Sequence, residues 1–298
     1  MIQSKGVVVL STFSRDVLLE QCLESIYSAD HSNLIRKLIT HQSGYPKVSK
    51  VISKYEDSMT SVLRVDGLQR TKLQNINLNY WNGFSVAFGT YEADWVLCVE
   101  EDSKLSLDVF TFIDDIYGKY KKERFFRGIN LGSIQNDPSL NGTYSRLRYG
   151  FHGSAGVITA RSWNNLRRIR TASKLESFPF DSATEKYWRT GFMVTPNITK
   201  TVNFGWIGGT HVNPEPNQPH FLKMQESWEI RSESLIYSEK NIAHEWGGSS
   251  ESFINSSQIK SLLVFFFSLL LERQLFFTFK YQIRVFKRKL LRQEDLAT

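Results

Sequence analysis

Glu100, Glu101 and Asp102 directly follow the apolar run Trp95-Val96-Leu97-Cys98-Val99. Three consecutive carboxylates at the end of such a run are the side chains in this chain best placed to do chemistry. Like charges this close repel one another unless water, hydrogen-bond donors or a cation accepts the charge. Hard divalent cations take oxygen ligands of this kind. One reading is therefore a metal-assisted phosphate site, and the other is a solvated acidic turn. Asp181 is the second candidate. The stretch Phe178-Pro179-Phe180-Asp181 leads into Ser182 and Glu185, whose spacing is that of a capping box and predicts Asp181 at the mouth of a helix. There it could cap the helix or face a cleft as a general base within hydrogen-bond reach of an acceptor hydroxyl. Arg15, just after the first apolar run, is either a solvated turn arginine or a guanidinium beside a helix N-terminus, where an anion is well received. His211, in a Gly-rich stretch, is open between metal ligand and simple hydrogen-bond partner, and His41 and His152 carry the same ambiguity.

These residues need a frame. An apolar run covered on both faces predicts a strand of a parallel sheet, and the acidic triplet then lies at its carboxyl end, the edge where open α/β sheets hold ligands. The rest of the chain alternates short apolar runs with helical patterns, which predicts an α/β fold with a mostly parallel sheet flanked by helices. Strands are expected at residues 7–10, 37–40 and 61–65, with Ser11 to Asp16 as a polar turn and 41–44 closing the second strand. Helices are expected after Asp16, with Leu19, Cys22, Leu23 and Ile26 on one face, and at 47–55, 81–91, 107–120 and 164–170. Residues 127–159 read as Gly-, Asn- and Ser-rich with a single apolar element at Val157 and Ile158, and residues 195–217 as a candidate lid. Trp81, Trp163 and Trp188 are expected in packing roles, and Trp206 in the lid.

Composition narrows the class. The chain has 298 residues, 41% hydrophobic and 13% aromatic, which is enough for a large core and excludes a disordered chain. Its two cysteines fall on separate apolar elements, so no disulfide or thiolate metal framework is expected and a reducing compartment is. The formal charge of +7 is uneven: residues 258–298 hold eight Lys or Arg against three acidic residues, a surplus of five, so the basic balance describes a tail and not a nucleic-acid-binding surface. In that tail Leu262, Phe265, Leu269, Phe276, Phe279, Ile283, Phe286 and Leu290 recur mostly at helical steps among the basic residues. An amphipathic helix results, one that suits an anionic membrane surface, the catalytic domain or a dimer seam. With no signal peptide evident, a cytoplasmic protein is expected, peripheral at the inner face of the cell membrane if the tail binds lipid.

One ordered series resembles a known family. It comprises residues 79–88 (Asn79, Tyr80, Trp81, Asn82 and Gly83 among them), Val99-Glu100-Glu101-Asp102 with Asp108 behind it, Phe151-His152-Gly153-Ser154-Ala155-Gly156, Phe180-Asp181, residues 196–201, Phe204-Gly205 and Gly208-Gly209-Thr210-His211. In order and spacing this is similar to the GT-A-fold glycosyltransferases of the N-acetylglucosaminyltransferase I type, over roughly residues 6–224. The resemblance implies a Rossmann-type catalytic domain over residues 1–225, which leaves a peripheral segment at 226–257 before the helical tail read from periodicity at 258–298. It implies that Asp102 ligates Mn²⁺ (or Mg²⁺) bridging the donor diphosphate, that Glu101 meets the donor sugar or ribose with Glu100 beside it, and that Arg15 lies near the donor phosphates. Asp181 is implied as general base and Thr210 as part of the loop closing on the diphosphate. Gln42 stands near the position where the family carries an aspartate beside the uracil. The chain departs from the family pattern there, at Glu101 (Asp in the family), at Phe180 (Trp) and at Ser182 (Asp).

Together these expectations describe an inverting, metal-dependent transfer from a nucleotide sugar, a UDP-sugar such as UDP-GlcNAc favoured, to a hydroxyl of a glycan or lipid-linked glycan. The context expected is bacterial surface polysaccharide or lipopolysaccharide synthesis. Two rivals share some of the features. A nucleotidyltransferase would ordinarily carry a Gly-rich basic loop after the first strand, whereas Ser11 to Asp16 contains no glycine. A non-catalytic glycan- or membrane-binding module would keep the fold without the metal.

Overall fold

The computed structural model of the chain describes residues 2–65, 71–132, 144–147, 151, 155–170, 180–197 and 199–204. The first strand, β1 (Gly6–Thr12), is buried along its whole length. It is flanked by β2 (Arg36–His41) and β4 (Trp95–Glu100), both parallel to it, with β3 (Thr60–Arg64) outside β2. Beyond β4 the sheet continues through β8 (Ala155–Thr159), β6 (Phe126–Asn130), β9 (Phe192–Pro196) and β7 (Tyr144–Leu147), giving the order β3-β2-β1-β4-β8-β6-β9-β7. Strands β8 and β7 run against the other six. A mostly parallel α/β sheet was expected and is what the chain forms. A separate two-stranded ribbon pairs β5 (Ser103–Leu105) with β10 (Thr201–Asn203) in antiparallel register.

The helices divide between the two faces. Leu19, Cys22, Leu23 and Ile26 of α1 (Asp16–Ser28), Val48, Val51 and Ile52 of α2 (Pro46–Ser53) and Phe110, Phe112 and Ile113 of α4 (Val109–Tyr120) pack into one core. Phe84 and Ala87 of α3 (Lys72–Gly89), Trp163 and Leu166 of α5 (Ala160–Ile169) and Phe180 and Trp188 of α6 (Phe180–Trp188) form the other. Connections β1-α1-β2 and β2-α2-β3 step outward along one face, and α3 then carries the chain back across the opposite face to β4. Chain direction along the sheet therefore reverses between β1 and β4, and such a switch point opens a crevice at the carboxyl ends of the strands.

Several boundaries differ from expectation for identifiable reasons. Helix α3 starts at Lys72, well before residue 81, because Thr71 and Gln74 form a reciprocal capping box and the polar residues after it find partners, Asn75 on Gln42 and Asn77 on the Phe180 N–H. β1 runs through Ser11 and Thr12, which pair with Thr40 and His41 of β2, so these two residues belong to the strand and not to the turn. β6, β7 and β9 occupy segments read as irregular, and Thr195 and Pro196 of the expected lid belong to β9. The expected packing tryptophans behave as such: Trp163 and Trp188 are buried and Trp81 lies 4.8 Å from Trp163, ring to ring. Residues 205–298, including Trp206 and the basic tail, lie outside the described residues. Among those described, no helix is long and apolar enough to cross a membrane.

Candidate active site at the β1–β4 switch point

Parallel pairing of β1 with β4 sets Ser11 opposite Glu100, so one residue further on each strand brings Thr12 and Phe13 beside Glu101. The Thr12 hydroxyl and the Phe13 N–H both donate to Glu101 Oε2, at 2.8 and 2.6 Å. Arg15, the residue immediately before α1, closes the cluster: its Nε donates to Glu101 Oε1 at 2.9 Å and its Nη2 lies 2.6 Å from Asp102 Oδ2. The ribbon supplies the opposite wall. Asn203 at the end of β10 donates its amide to Asp102 Oδ1 at 2.9 Å and reaches Glu100 Oε2 at 3.5 Å, while the Phe204 N–H holds the Asp102 carbonyl at 2.7 Å. From behind, Tyr80 of α3 donates to the Val99 carbonyl at 3.3 Å.

Burial sets the electrostatics. Glu101 and Asp102 are only 4% and 5% exposed, so solvent does little to separate their charges. Burial pushes the Asp102 carboxyl above its ordinary value against the pull of Arg15, and the Glu101 charge adds to the rise. Burial alone would lower the Arg15 guanidinium, but Asp102 and Glu101 outweigh it and raise it. The Cys22 thiol, buried beneath the cluster, is driven far up by burial and by both carboxylates, which disfavours its thiolate.

The two carboxylates consequently differ in what they can do. Glu101 has both oxygens engaged by three donors, Thr12 at the end of β1 and Phe13 and Arg15 of the turn after it, and ties that turn to the end of β4. Asp102 faces Arg15 on one side and the ribbon on the other. Among the described residues no group of three or more His, Cys, Asp or Glu side chains is arranged to hold a metal ion. A buried Asp102 with Glu100 nearby nevertheless suits an Mg²⁺- or Mn²⁺-type site, because such ions are commonly held by one or two carboxylates with substrate phosphates completing the shell.

The other candidates distribute as follows. Gln42 follows β2 at the same edge and accepts from Asn75 at 3.3 Å. His41 Nε2 lies 3.1 Å from the Ser49 hydroxyl, in a packing role. The backbone of Asp181 is in the first turn of α6, which starts at Phe180, three residues before the Ala183 start that a Ser182–Glu185 capping box implied. The Phe180 N–H is held by Asn77 Oδ1 at 3.1 Å and its carbonyl accepts from Thr184 at 2.7 Å, so the helix extends back past Ser182, and Glu185 pairs with Arg189 one turn on. Because α3 leaves the carboxyl edge and α6 descends from it toward β9, the Asn77–Phe180 bond puts Asp181 at the same edge as Asp102. Thr210, His211 and His152 lie outside the described residues. Sequence reasoning missed Thr12 and Asn203. Thr12 was hidden by reading its segment as a turn, and Asn203 becomes visible only when β10 pairs with β5.

No family model matches the chain, and no curated protein matches it. Solved structures with a similar course of backbone include TarS of S. aureus (9% identity, TM-score 0.45, 64% of this chain), of which the chain spans 35%. The TarS 1–349 structure (8% identity, TM-score 0.47) is matched over 75% of this chain and 71% of that one. Mannosyltransferase PcManGT from Pyrobaculum calidifontis, in complex with GDP-Man and Mn²⁺, is similar at 11% identity and TM-score 0.42 over 91% of this chain and 88% of its own. Likenesses this distant fix no activity, which has to come from the site.

Proposed function

We propose that the chain is a glycosyltransferase that moves a sugar from a nucleotide donor to a hydroxyl of a glycan, with inversion at the anomeric carbon. One observation carries the reading: a nearly solvent-free aspartate, Asp102, stands at the switch-point crevice and is neutralised there by a cationic partner. When bound beside Asp102, Mn²⁺ or Mg²⁺ would supply positive charge for the departing diphosphate. The protein's own part is to position. Glu101 fixes the turn that carries Arg15, and Arg15 and the first amides of α1 offer donors to phosphate oxygens. Asn203 orients Asp102. Asp181 takes the proton of the acceptor hydroxyl as its oxygen bonds to the anomeric carbon, and the electron pair of the breaking bond leaves with the diphosphate. Gln42 and Glu100 complete the donor side, the sequence assigns Thr210 to the closing loop and His211 as a further metal ligand, and a UDP-sugar such as UDP-GlcNAc is the first donor to try.

The basic amphipathic tail supports an acceptor displayed at an anionic membrane, as in surface polysaccharide or lipopolysaccharide assembly. Asp181→Asn tests the chemistry. Nucleotide-sugar affinity should stay within a few-fold of wild type while transfer to soluble or vesicle-borne acceptors falls by about 10²–10⁴, the usual range for a positioned acid or base. Unchanged transfer would remove Asp181 from this role.

A further inference from the structure

We propose that Arg15 is a built-in counter-cation that occupies the metal position at Asp102 and must be displaced before a divalent ion can bind, so that bare metal is disfavoured and metal arrives with the nucleotide. The inference rests on the proposed glycosyltransferase reading and deepens it. Asp102 is 5% exposed and its two oxygens are both met, Oδ2 by Arg15 Nη2 at 2.6 Å and Oδ1 by Asn203 Nδ2 at 2.9 Å. An ion of the Mg²⁺ type sits roughly 2.0–2.1 Å from its oxygens. Placed on Oδ2, it would share that oxygen with a guanidinium of like charge in a site poorly screened by water, and one of the two must leave. Arg15 is able to do so. It stands in the turn before α1, is 31% exposed at its side chain, and has no side-chain role in capping that helix. Glu101 does not depend on it alone, since the Thr12 hydroxyl and the Phe13 amide remain. A nucleoside diphosphate gives the displaced guanidinium a new partner of the geometry it prefers. The exchange couples the two ligands: metal affinity is low until phosphate draws Arg15 away, and by reciprocity metal strengthens nucleotide binding by the same factor.

The test is titration of MnCl₂ into the full chain by calorimetry, alone and then in the presence of UDP, GDP and CDP in turn, for wild type, Arg15→Gln and Lys104→Gln. Wild type is expected to bind Mn²⁺ at least tenfold more tightly with one of the nucleotides than without. Arg15→Gln should bind bare Mn²⁺ at least tenfold more tightly than wild type and lose most of the nucleotide's enhancement. Lys104→Gln, which removes a nearby charge without touching the carboxylates, should behave as wild type. An equal gain in Lys104→Gln would mean general electrostatics and would overturn the latch. The latch also fails, with the enzymatic reading intact, if Arg15→Gln binds bare Mn²⁺ no better than wild type while both bind it with nucleotide. If none of the three proteins binds Mn²⁺ under any condition, both proposals fall. Should Arg15→Gln not fold, Arg15→Lys decides: a single ammonium bridges the pair poorly, so bare-metal affinity must rise above wild type or the latch is wrong.

Discussion

Glu101 and Asp102 are neighbours in sequence, yet the fold asks different things of them. Glu101 receives three donors from the end of β1 and the turn after it and behaves as a fastener. Asp102 is shared between Arg15 and the β10 ribbon, which meet its two oxygens. Substitution separates the two roles. Thr12→Val keeps the shape of the strand but strips one donor from a buried carboxylate, and it should lower unfolding free energy by about 1–3 kcal/mol in urea titration, with no new metal requirement. Stability unchanged within error would mean that Glu101 does not need that hydroxyl. Asp181 was expected at a helix mouth and lies in the first turn of α6, and the placement of the acidic triplet at the carboxyl end of β4 was legible in the sequence because a strand-length apolar run precedes it. Thr12 was not, since a threonine ending one strand gains meaning only when the neighbouring strand is placed beside it.

At the scale of elements, α3 does most of the positioning. It spans the switch point, its first turns meet Gln42, Val99 and Phe180, and its approach to the sheet is close because Gly83 has no side chain: a Cβ there would lie 2.5 Å from Val9 Cγ1. Gly83→Val should therefore push α3 off β1 and cost about 1–3 kcal/mol or more, read as a lower denaturation midpoint. It should also weaken nucleotide-sugar binding, because Tyr80 and Asn77 move with the helix. A variant as stable as wild type would show that the contact is easily relieved. Only the second half of α3 announced itself in the sequence. Residues 72–80 carry Asn75, Asn77 and Asn79, which blur an apolar stripe, and the Asn75 and Asn77 amides serve contacts that lie far away along the chain. β6 escaped for a similar reason. Arg127 and Asn130 look solvent-facing, but they are buried, and Arg127 is satisfied by the Thr190 hydroxyl and carbonyl and by the Arg124 carbonyl.

For the whole molecule, the reversal of chain direction between β1 and β4 explains why chemistry gathers where it does. From β1 the chain steps to β2 by way of α1, and from β4 it continues through β5 and α4 to β6 on the other side, so residues from four separated stretches, 12–15, 80, 100–102 and 203–204, converge at the strand ends between. Alternating apolar runs and helical patterns were enough to read the α/β class. The antiparallel direction of β8, read only as an apolar element at Val157 and Ile158, and the strand β7 were not readable, because a sheet's second half is assembled by pairing partners far apart in sequence. The central claim, that Asp102 grips a divalent ion holding a sugar nucleotide, is tested most directly by thermal unfolding of wild type and Asp102→Ala against a panel of nucleotide sugars with and without Mn²⁺. A ligand at 100 times its dissociation constant stabilises a fold by about 2.7 kcal/mol. At least one donor should therefore raise the wild-type midpoint by several degrees only when Mn²⁺ is present, and the shift should vanish in Asp102→Ala. A donor that stabilises both proteins equally, with or without the metal, would contradict the account.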